Sequence, residues 1–257
     1  MTENLLFEKI DGVAVITLNR PAELNAMDLN IRKDLRDIFE EINFDKEIGA
    51  IVLQGAGRAF CAGGDIKTMG GYSAGSGRIR LKNMHYLVRA VCLSDKPVIA
   101  ALHGSVAGAG LSIALACDAR IAAEGTKFIA SFLNIGLVPD SGSFYFLPRL
   151  VGMAKAKEIV YRAKPLLVEE ALSAGLINKI EPADSFREAA FQLAAEIAQK
   201  PRTALAITKS IMNRSFEMDL DQALDFEAMA QDICFLTQDH SEGVNAFLEK
   251  RKARFNK

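Results

Sequence analysis

Two glycine-rich stretches carry the residues best suited to chemistry in this chain. The first runs from Gly55 to Ile66 (GAGRAFCAGGDI), and the second runs from His103 to Asp118 (HGSVAGAGLSIALACD). Each follows a short apolar run, which predicts a buried strand that ends in a turn. Small residues leave the backbone N–H groups of such turns open to a ligand. Two N–H groups that converge from separate turns form an oxyanion hole, which stabilises negative charge on a carbonyl oxygen.

The remaining pattern predicts an α/β fold in which a β-rich part is followed by a helical part. Leu5–Ile10 and Val13–Leu18 are predicted strands, joined by Asp11-Gly12, a strong signal for a two-residue hairpin turn. A helix with apolar residues at helical spacing opens near Asp28. Further strands are predicted at 50–54, 98–102, 119–123 and 177–180, and further helices at 79–93, 108–116, 154–163, 168–174, 185–199, 203–215, 219–237 and 241–250. The Ser/Gly-rich residues 72–77 predict a mobile loop.

Composition excludes several classes of function. The chain has 257 residues, of which 50% are hydrophobic and 25% charged, and its net charge is −1. This charge gives no electrostatic reason to expect binding to nucleic acid or to an anionic membrane. No apolar run approaches the roughly 18 residues of a spanning helix, and no signal peptide is recognisable, so we expect a cytoplasmic protein. The four cysteines are widely spaced and are expected to be free thiols, with no metal site.

Four blocks of residues, in this order and spacing, resemble the crotonase (enoyl-CoA hydratase/isomerase) superfamily. They are Asn19-Arg20-Pro21 with Asn25-Ala26, the two glycine-rich stretches, and TQDHSEGVNAFLEKR near the C-terminus. The resemblance spans nearly the whole chain. It implies a spiral of ββα units in residues 1–195, which bind acyl-CoA, and a helical oligomerisation region in residues 196–257. It also implies a homotrimer or a dimer of trimers.

The same resemblance implies an acyl-CoA thioester substrate, so that CoA is part of the substrate and no separate cofactor is expected. The two amides of the oxyanion hole are then those of Gly64 and Ala109. Ala109 is predicted to open a helix, where unpaired N–H groups and the helix dipole favour negative charge. The alternative is that both turns only allow strands and helices to pack closely.

Two carboxylates that hydratases of this superfamily use to hold and protonate water are absent. Their positions are occupied by Ser112 and Phe132. Without an acid/base pair, the addition of water loses about 10²–10⁴-fold for each proton transfer. Hydration is therefore not expected to be the main activity.

One carboxylate remains in the same neighbourhood, Asp140 in the segment NIGLVPDSG. This segment resembles the branch that contains 1,2-epoxyphenylacetyl-CoA isomerase and 3,2-enoyl-CoA isomerase, in which an acidic residue at or near this point is catalytic. The apolar side chains around it are expected to shield the carboxylate from water and make it a stronger base. These are Phe132, Leu137, Val138 and Phe144. The alternative is that Asp140 only caps a short helix beginning near Ser141.

The resemblance also assigns the binding residues. CoA is expected to contact Glu23, Leu24 and Ala26 in one segment, and Ala62, Gly63, Asp65, Ile66 and Lys67 in another, with Asp65 and Lys67 at the nucleotide edge. The acyl pocket is expected to include Gly108, Ser112, Phe132, Leu137 and Pro139. The basic C-terminal tail either meets CoA phosphates or is a solvated tail.

Three functions remain open from the sequence. The first is an isomerase that shifts a double bond from the 3 to the 2 position of an enoyl-CoA, or rearranges a ring epoxide of an aromatic acyl-CoA. The second is a hydratase that uses Asp140 with a water held by Ser112. The third is a non-catalytic acyl-CoA-binding or RNA-associated relative. For the isomerase, Ser112→Ala is expected to have little effect.

Overall fold

The computed structural model describes residues 3–70, 73 and 75–257. The strands are β1 (Leu5–Ile10), β2 (Val13–Leu18), β3 (Ala50–Gly55), β4 (Val98–Leu102), β5 (Ser105–Ala107), β6 (Ala119–Ala123), β7 (Lys127–Ile129), β8 (Leu166–Leu167) and β9 (Lys179–Glu181). The α-helices are α1 (Leu29–Phe44), α2 (Ser76–Cys92), α3 (Ala109–Ala116), α4 (Ser143–Val151), α5 (Met153–Arg162), α6 (Val168–Ser173), α7 (Phe186–Ala198), α8 (Arg202–Met212), α9 (Leu220–Phe235) and α10 (Gln238–Leu248).

A six-stranded sheet in the order β1-β2-β3-β4-β6-β9 forms the centre of the fold. Among the described strands of this sheet, only β1 and β2 pair antiparallel, through the predicted hairpin, while β2, β3, β4, β6 and β9 run parallel. Parallel strands are buried on both faces, which explains their continuous apolar runs. On one face Ile51 and Leu53 pack with α1, α2 and α3, and on the other Ala50 and Val52 pack against α7. The mixed α/β fold is as predicted.

Local sequence signals explain where several elements begin. The carboxylate of Asp28 accepts a hydrogen bond of 2.9 Å from the N–H of Ile31, which caps α1 as its sequence predicts. Asp11 and Gly12 both have positive φ, of 48° and 78°, which is the conformation that a two-residue hairpin turn requires.

The structure also contains elements that the pattern does not predict. A second sheet, β5-β7-β8, has strands of only two or three residues, too short to show periodicity. Helix α2 begins at Ser76, inside the predicted loop 72–77, and residues 72 and 74 of that stretch lie outside the described residues. Helix α4 begins at Ser143 rather than near Ser141.

The last three α-helices leave much apolar surface exposed. No residue of α8 or α9 is buried, and in α10 only Ala246 is. Large exposed side chains on these helices and on the segment between α8 and α9 include Phe216, Leu220, Leu224, Met229, Ile233, Phe247 and Leu248. Across the described ranges, no helix combines the length and the apolar character needed to cross a membrane.

Candidate active site

The first glycine-rich turn follows β3 and requires glycine at its centre. Gly63 has a φ of 111°, a conformation that side-chain-bearing residues rarely adopt, and a Cβ there would lie 3.1 Å from the carbonyl oxygen of Ala107. The N–H of Met27 donates to the carbonyl of Gly63 (2.8 Å), and the N–H of Asp65 donates to the carbonyl of Met27 (3.2 Å). These bonds hold Gly64 in a short parallel bridge to Met27.

The second turn follows the short strand β5, which the sequence reading missed. The N–H of Gly108 donates to the carbonyl of Ile129 at the end of β7 (3.0 Å), so the small sheet holds the turn in place. Gly108 has a φ of 49° and precedes α3, which begins at Ala109 with no side-chain cap. Helix α3 packs tightly on the first turn, since a Cβ at Gly110 would lie 2.6 Å from the Cβ of Cys61.

The two turns are in direct contact. A Cβ on Gly63 would lie 3.5 Å from the amide nitrogen of Ala109, and one on Gly108 would lie 3.7 Å from the Cα of Gly63. Neither the N–H of Gly64 nor that of Ala109 donates a hydrogen bond to any of the residues described. Unpaired amides at the start of a helix attract anions, because the helix dipole adds to their positive charge. The contact thus places the unpaired amide of Ala109 beside the turn that carries the unpaired amide of Gly64.

Asp140 lies in a third turn, directly before α4. Ser141 and Gly142 both have positive φ, of 54° and 87°, and the N–H of Ser143 donates to the carbonyl of Asp140 (3.0 Å). The Asp140 carboxylate is half-buried, and its Oδ1 accepts a bond of 2.6 Å from the Ser141 hydroxyl. Gly142 is the N-cap residue of α4, and no side chain caps this helix. The alternative that Asp140 is present only as a helix cap is therefore wrong.

Ser112 connects the Asp140 turn to the second glycine-rich turn. Its Oγ lies 3.2 Å from the carbonyl oxygen of Gly108 and 3.1 Å from that of Asp140. It also lies 2.7 Å from the hydroxyl of Ser143. Ser112 is fully buried, at 0% exposure, and a hydroxyl has one donor and two acceptor positions. Its single proton is already shared between two carbonyl oxygens and the residue has no exposed surface, so the expectation that Ser112 lines the pocket and holds a water does not fit its surroundings.

The two segments expected to contact CoA lie side by side. The N–H of Ala62 donates to the carbonyl of Leu24 (2.9 Å), and the guanidinium of Arg20 donates to that of Ala26 (2.9 Å). Asn25, which is fully buried, donates from its side-chain amide to the carbonyls of Ala56 (2.9 Å) and Ala59 (2.7 Å). In the sequence Asn25 is recognisable only as part of a motif, and its bridging role is not visible there.

The predicted CoA residues differ in accessibility. Glu23, Ile66 and Lys67 are exposed, and these three remain available to a ligand. Asp65 is buried, at 8% exposure, and its carboxylate accepts from the N–H of Lys67 (3.0 Å) and pairs with Arg20 (3.5 Å). The expectation that Asp65 faces the nucleotide edge does not fit this burial. Its observed contacts hold the loop together.

The expected apolar shield around Asp140 is largely open in the single chain. Phe132 is buried, but Leu137, Val138 and Phe144 are 44%, 67% and 66% exposed. Pro139 is buried beside Asp140. Any further shielding of this carboxylate has to come from a bound acyl group or from a second copy of the chain.

A cysteine nucleophile at this site is excluded by its protonation. Cys61 is buried beside the first turn, where the N–H of Gly63 lies 3.4 Å from its sulfur. Burial raises the pKa of the Cys61 thiol to about 12, so it stays protonated and unreactive at neutral pH. Within the described part of the chain, no group of three or more His, Cys, Asp or Glu side chains is arranged to hold a metal ion.

Comparison with known proteins identifies the family. Residues 8–257 match the family Enoyl-CoA hydratase/isomerase. The chain belongs to this family. The resemblance to the crotonase superfamily is thereby confirmed, and the protein is an enzyme of the hydratase/isomerase type.

Its relatives include both kinds of enzyme. The chain is 36% identical to crotonyl-CoA hydratase of Syntrophomonas wolfei over an alignment of 254 residues, and this alignment covers 98% of each chain. It is 35% identical over 259 residues to 1,2-epoxyphenylacetyl-CoA isomerase of Escherichia coli, with 99% of each chain covered. Among solved structures, the enoyl-CoA hydratase of Bacillus anthracis superposes with a TM-score of 0.94 at 31% identity, covering 98% of this chain and 99% of that one. These values confirm the fold but do not separate hydratase from isomerase.

Proposed function

We propose that this member of the family is an acyl-CoA isomerase in which the amides of Gly64 and Ala109 hold a thioester enolate while Asp140 carries the proton. One observation supports this most directly. The Ser112 hydroxyl contacts both the carbonyl of Gly108, directly before the Ala109 amide, and the carbonyl of Asp140. A single side chain therefore holds the turn that bears the carboxylate against the turn that bears one of the donors.

The reaction follows from these groups. With a 3-enoyl thioester, the ionised Asp140 carboxylate removes a proton from C2, and the electrons pass into a dienolate with its charge on the thioester oxygen. The two amides stabilise that oxygen, and removing such a donor costs about 2.7–4 kcal/mol of transition-state stabilisation. The carboxyl group, whose proton exchanges with solvent while the dienolate is bound, then gives a proton to C4, which yields the 2-enoyl thioester. No proton or electron is gained or lost overall.

The substrate is held by the surfaces described above. CoA lies along the segments 23–26 and 62–67, and the acyl group lies near Gly108, Phe132, Leu137 and Pro139. An aromatic acyl group that carries a ring epoxide fits the same site, because its C2 protons also lie next to the thioester and their removal by Asp140 gives an enolate whose charge the two amides hold. The exposed apolar side chains of α8–α10 support association into a homotrimer or a dimer of trimers.

A hydratase is the second candidate, and similarity to a protein named crotonyl-CoA hydratase favours it. Hydration needs a positioned water and an acid/base pair. Asp140 is the one carboxylate that we assign to the site, and the Ser112 hydroxyl is already bonded to protein oxygens. These contacts favour the isomerase.

A single assay in deuterated water separates the candidates. The isomerase gives a conjugated 2-enoyl-CoA from 3-enoyl-CoA, with exchange of the C2 and C4 protons and no 3-hydroxyacyl-CoA. The hydratase gives the 3-hydroxy product from 2-enoyl-CoA, and a binding protein gives neither. We expect Asp140→Asn to lower isomerase turnover at least about a hundredfold, the size of a lost general base, with CoA-ester binding preserved. A fully active Asp140→Asn variant would exclude the proposed mechanism.

A further inference from the structure

The two oxygens of the Asp140 carboxylate have different surroundings. Oδ1 accepts a short hydrogen bond, 2.6 Å, from the hydroxyl of Ser141. No residue in the described part of the chain donates to Oδ2. The carboxylate therefore has one oxygen engaged by the protein and one open to a substrate.

Ser141 has an unusual backbone for a residue with a side chain. Its φ is 54°, in the left-handed region that favours glycine, and it is almost completely buried, at 1% exposure. Residues held in such conformations concentrate at functional sites, where the surrounding structure maintains them. Here the neighbouring carbonyl of Asp140 is held twice, by the N–H of Ser143 (3.0 Å) and by the Ser112 hydroxyl (3.1 Å).

We propose that Ser141 is a positioning residue that engages Oδ1 and thereby makes Oδ2 the oxygen that carries the proton. This inference rests on the proposed isomerase function. The bond fixes the rotation of the carboxylate, so that Oδ2 faces the substrate carbons at both ends of the proton transfer.

Two substitutions separate the hydroxyl from the backbone conformation. Ser141→Ala removes the hydroxyl but keeps a Cβ in the left-handed conformation. Ser141→Gly also removes the hydroxyl, but glycine adopts this conformation freely and the variant is expected to fold at least as well. Ser94→Ala is the matched control, since Ser94 is also buried, at 2% exposure, and bonds to the side chain of Asn43 on another part of the chain.

We expect kcat for C2-proton exchange to fall about tenfold in both Ser141 variants, a typical effect of losing a hydrogen bond to a charged group. KM should stay within about twofold, because Ser141 does not touch the CoA segments. Ser94→Ala should leave both kcat and KM unchanged.

The variants test the positioning role of Ser141 and the proposed isomerase function separately. If Ser141→Ala and Ser141→Gly keep the wild-type kcat, the positioning role is wrong. It is also wrong if Ser141→Gly is fully active while Ser141→Ala is impaired, because backbone strain would then explain the loss. If Asp140→Asn keeps full exchange activity, the proposed function itself fails, whatever the Ser141 variants do.

Discussion

Ser112→Ala tests the link between the two halves of the site. The substitution deletes a fully buried hydroxyl that contacts Gly108, Asp140 and Ser143. The two carbonyl oxygens keep backbone partners, since Gly108 also accepts from the N–H of Ser112 and Asp140 from the N–H of Ser143. The hydroxyl of Ser143 is the group that loses a side-chain partner. One buried polar group left unsatisfied costs about 1–3 kcal/mol, which is the expected loss of stability.

The effect on activity should exceed what this stability change alone produces. Once Ser112 no longer contacts the carbonyl of Asp140, the carboxylate turn is held to the second glycine-rich turn by fewer bonds. Small displacements of reacting groups cost up to about a hundredfold in rate, so we expect kcat to fall between about tenfold and a hundredfold. The sequence alone suggested almost no effect, so this expectation is a revision that the structure makes.

The measurement combines urea unfolding with proton exchange from 3-enoyl-CoA. Ser94→Ala is again the control, because it deletes a buried serine hydroxyl whose partners are the side chain of Asn43 and the N–H of Lys96 rather than residues of the site. The expected result is a similar loss of stability in both variants and a fall of kcat only in Ser112→Ala. Equal kcat values in the two variants would show that Ser112 is merely a core residue and would refute the reasoning.

Two further perturbations test the donor and the fold. Ala109→Pro deletes one N–H at the first position of α3, a position where proline is tolerated. We expect kcat to fall about 10²–10³-fold while the circular dichroism spectrum stays unchanged. Unaltered turnover would show that the Ala109 amide is not part of the site. Burial lowers the pKa of His103, so the folded protein favours its neutral form. The stability this contributes is present above the unfolded value of 6.5 and is lost as pH falls through the folded pKa. The unfolding temperature of the wild-type protein should therefore fall as the pH is lowered from about 7.5 to 5.5, and it should fall less in His103→Gln. The same pH dependence in both proteins would show that His103 is not the group responsible.

Much of the fold follows from local signals that act within a few residues. The hairpin at Asp11-Gly12 and the cap at Asp28 depend on side chains and backbone angles close by in sequence. The buried parallel strands show as apolar runs because both of their faces are covered. The second sheet is absent from such a reading because a strand of three residues, such as Ser105–Ala107, has no measurable period.

In the candidate site, the positions that need glycine can be predicted from the sequence, whereas the partners of the side chains cannot. Gly63 and Gly108 stand where the chain needs positive φ and close approach, and this requirement is visible as glycine in the sequence. The roles of Ser112 and Asp65 are not visible, because each depends on partners far away along the chain. Asp65 pairs with Arg20, and Ser112 bonds to Asp140.

By itself, the sequence determined the α/β fold, the family, and the two turns whose small residues expose backbone amides. Only the tertiary structure decided which side chains meet. In the folded chain Asp65 is buried, and Ser112 is buried between two turns. One carboxylate oxygen of Asp140 accepts a hydrogen bond from Ser141, and among the described residues the other has no donor. The physical reason is how far apart in the sequence the interacting groups lie. Turn geometry depends on neighbouring residues, whereas a buried hydrogen bond depends on whichever partner the packed chain brings within about 3 Å.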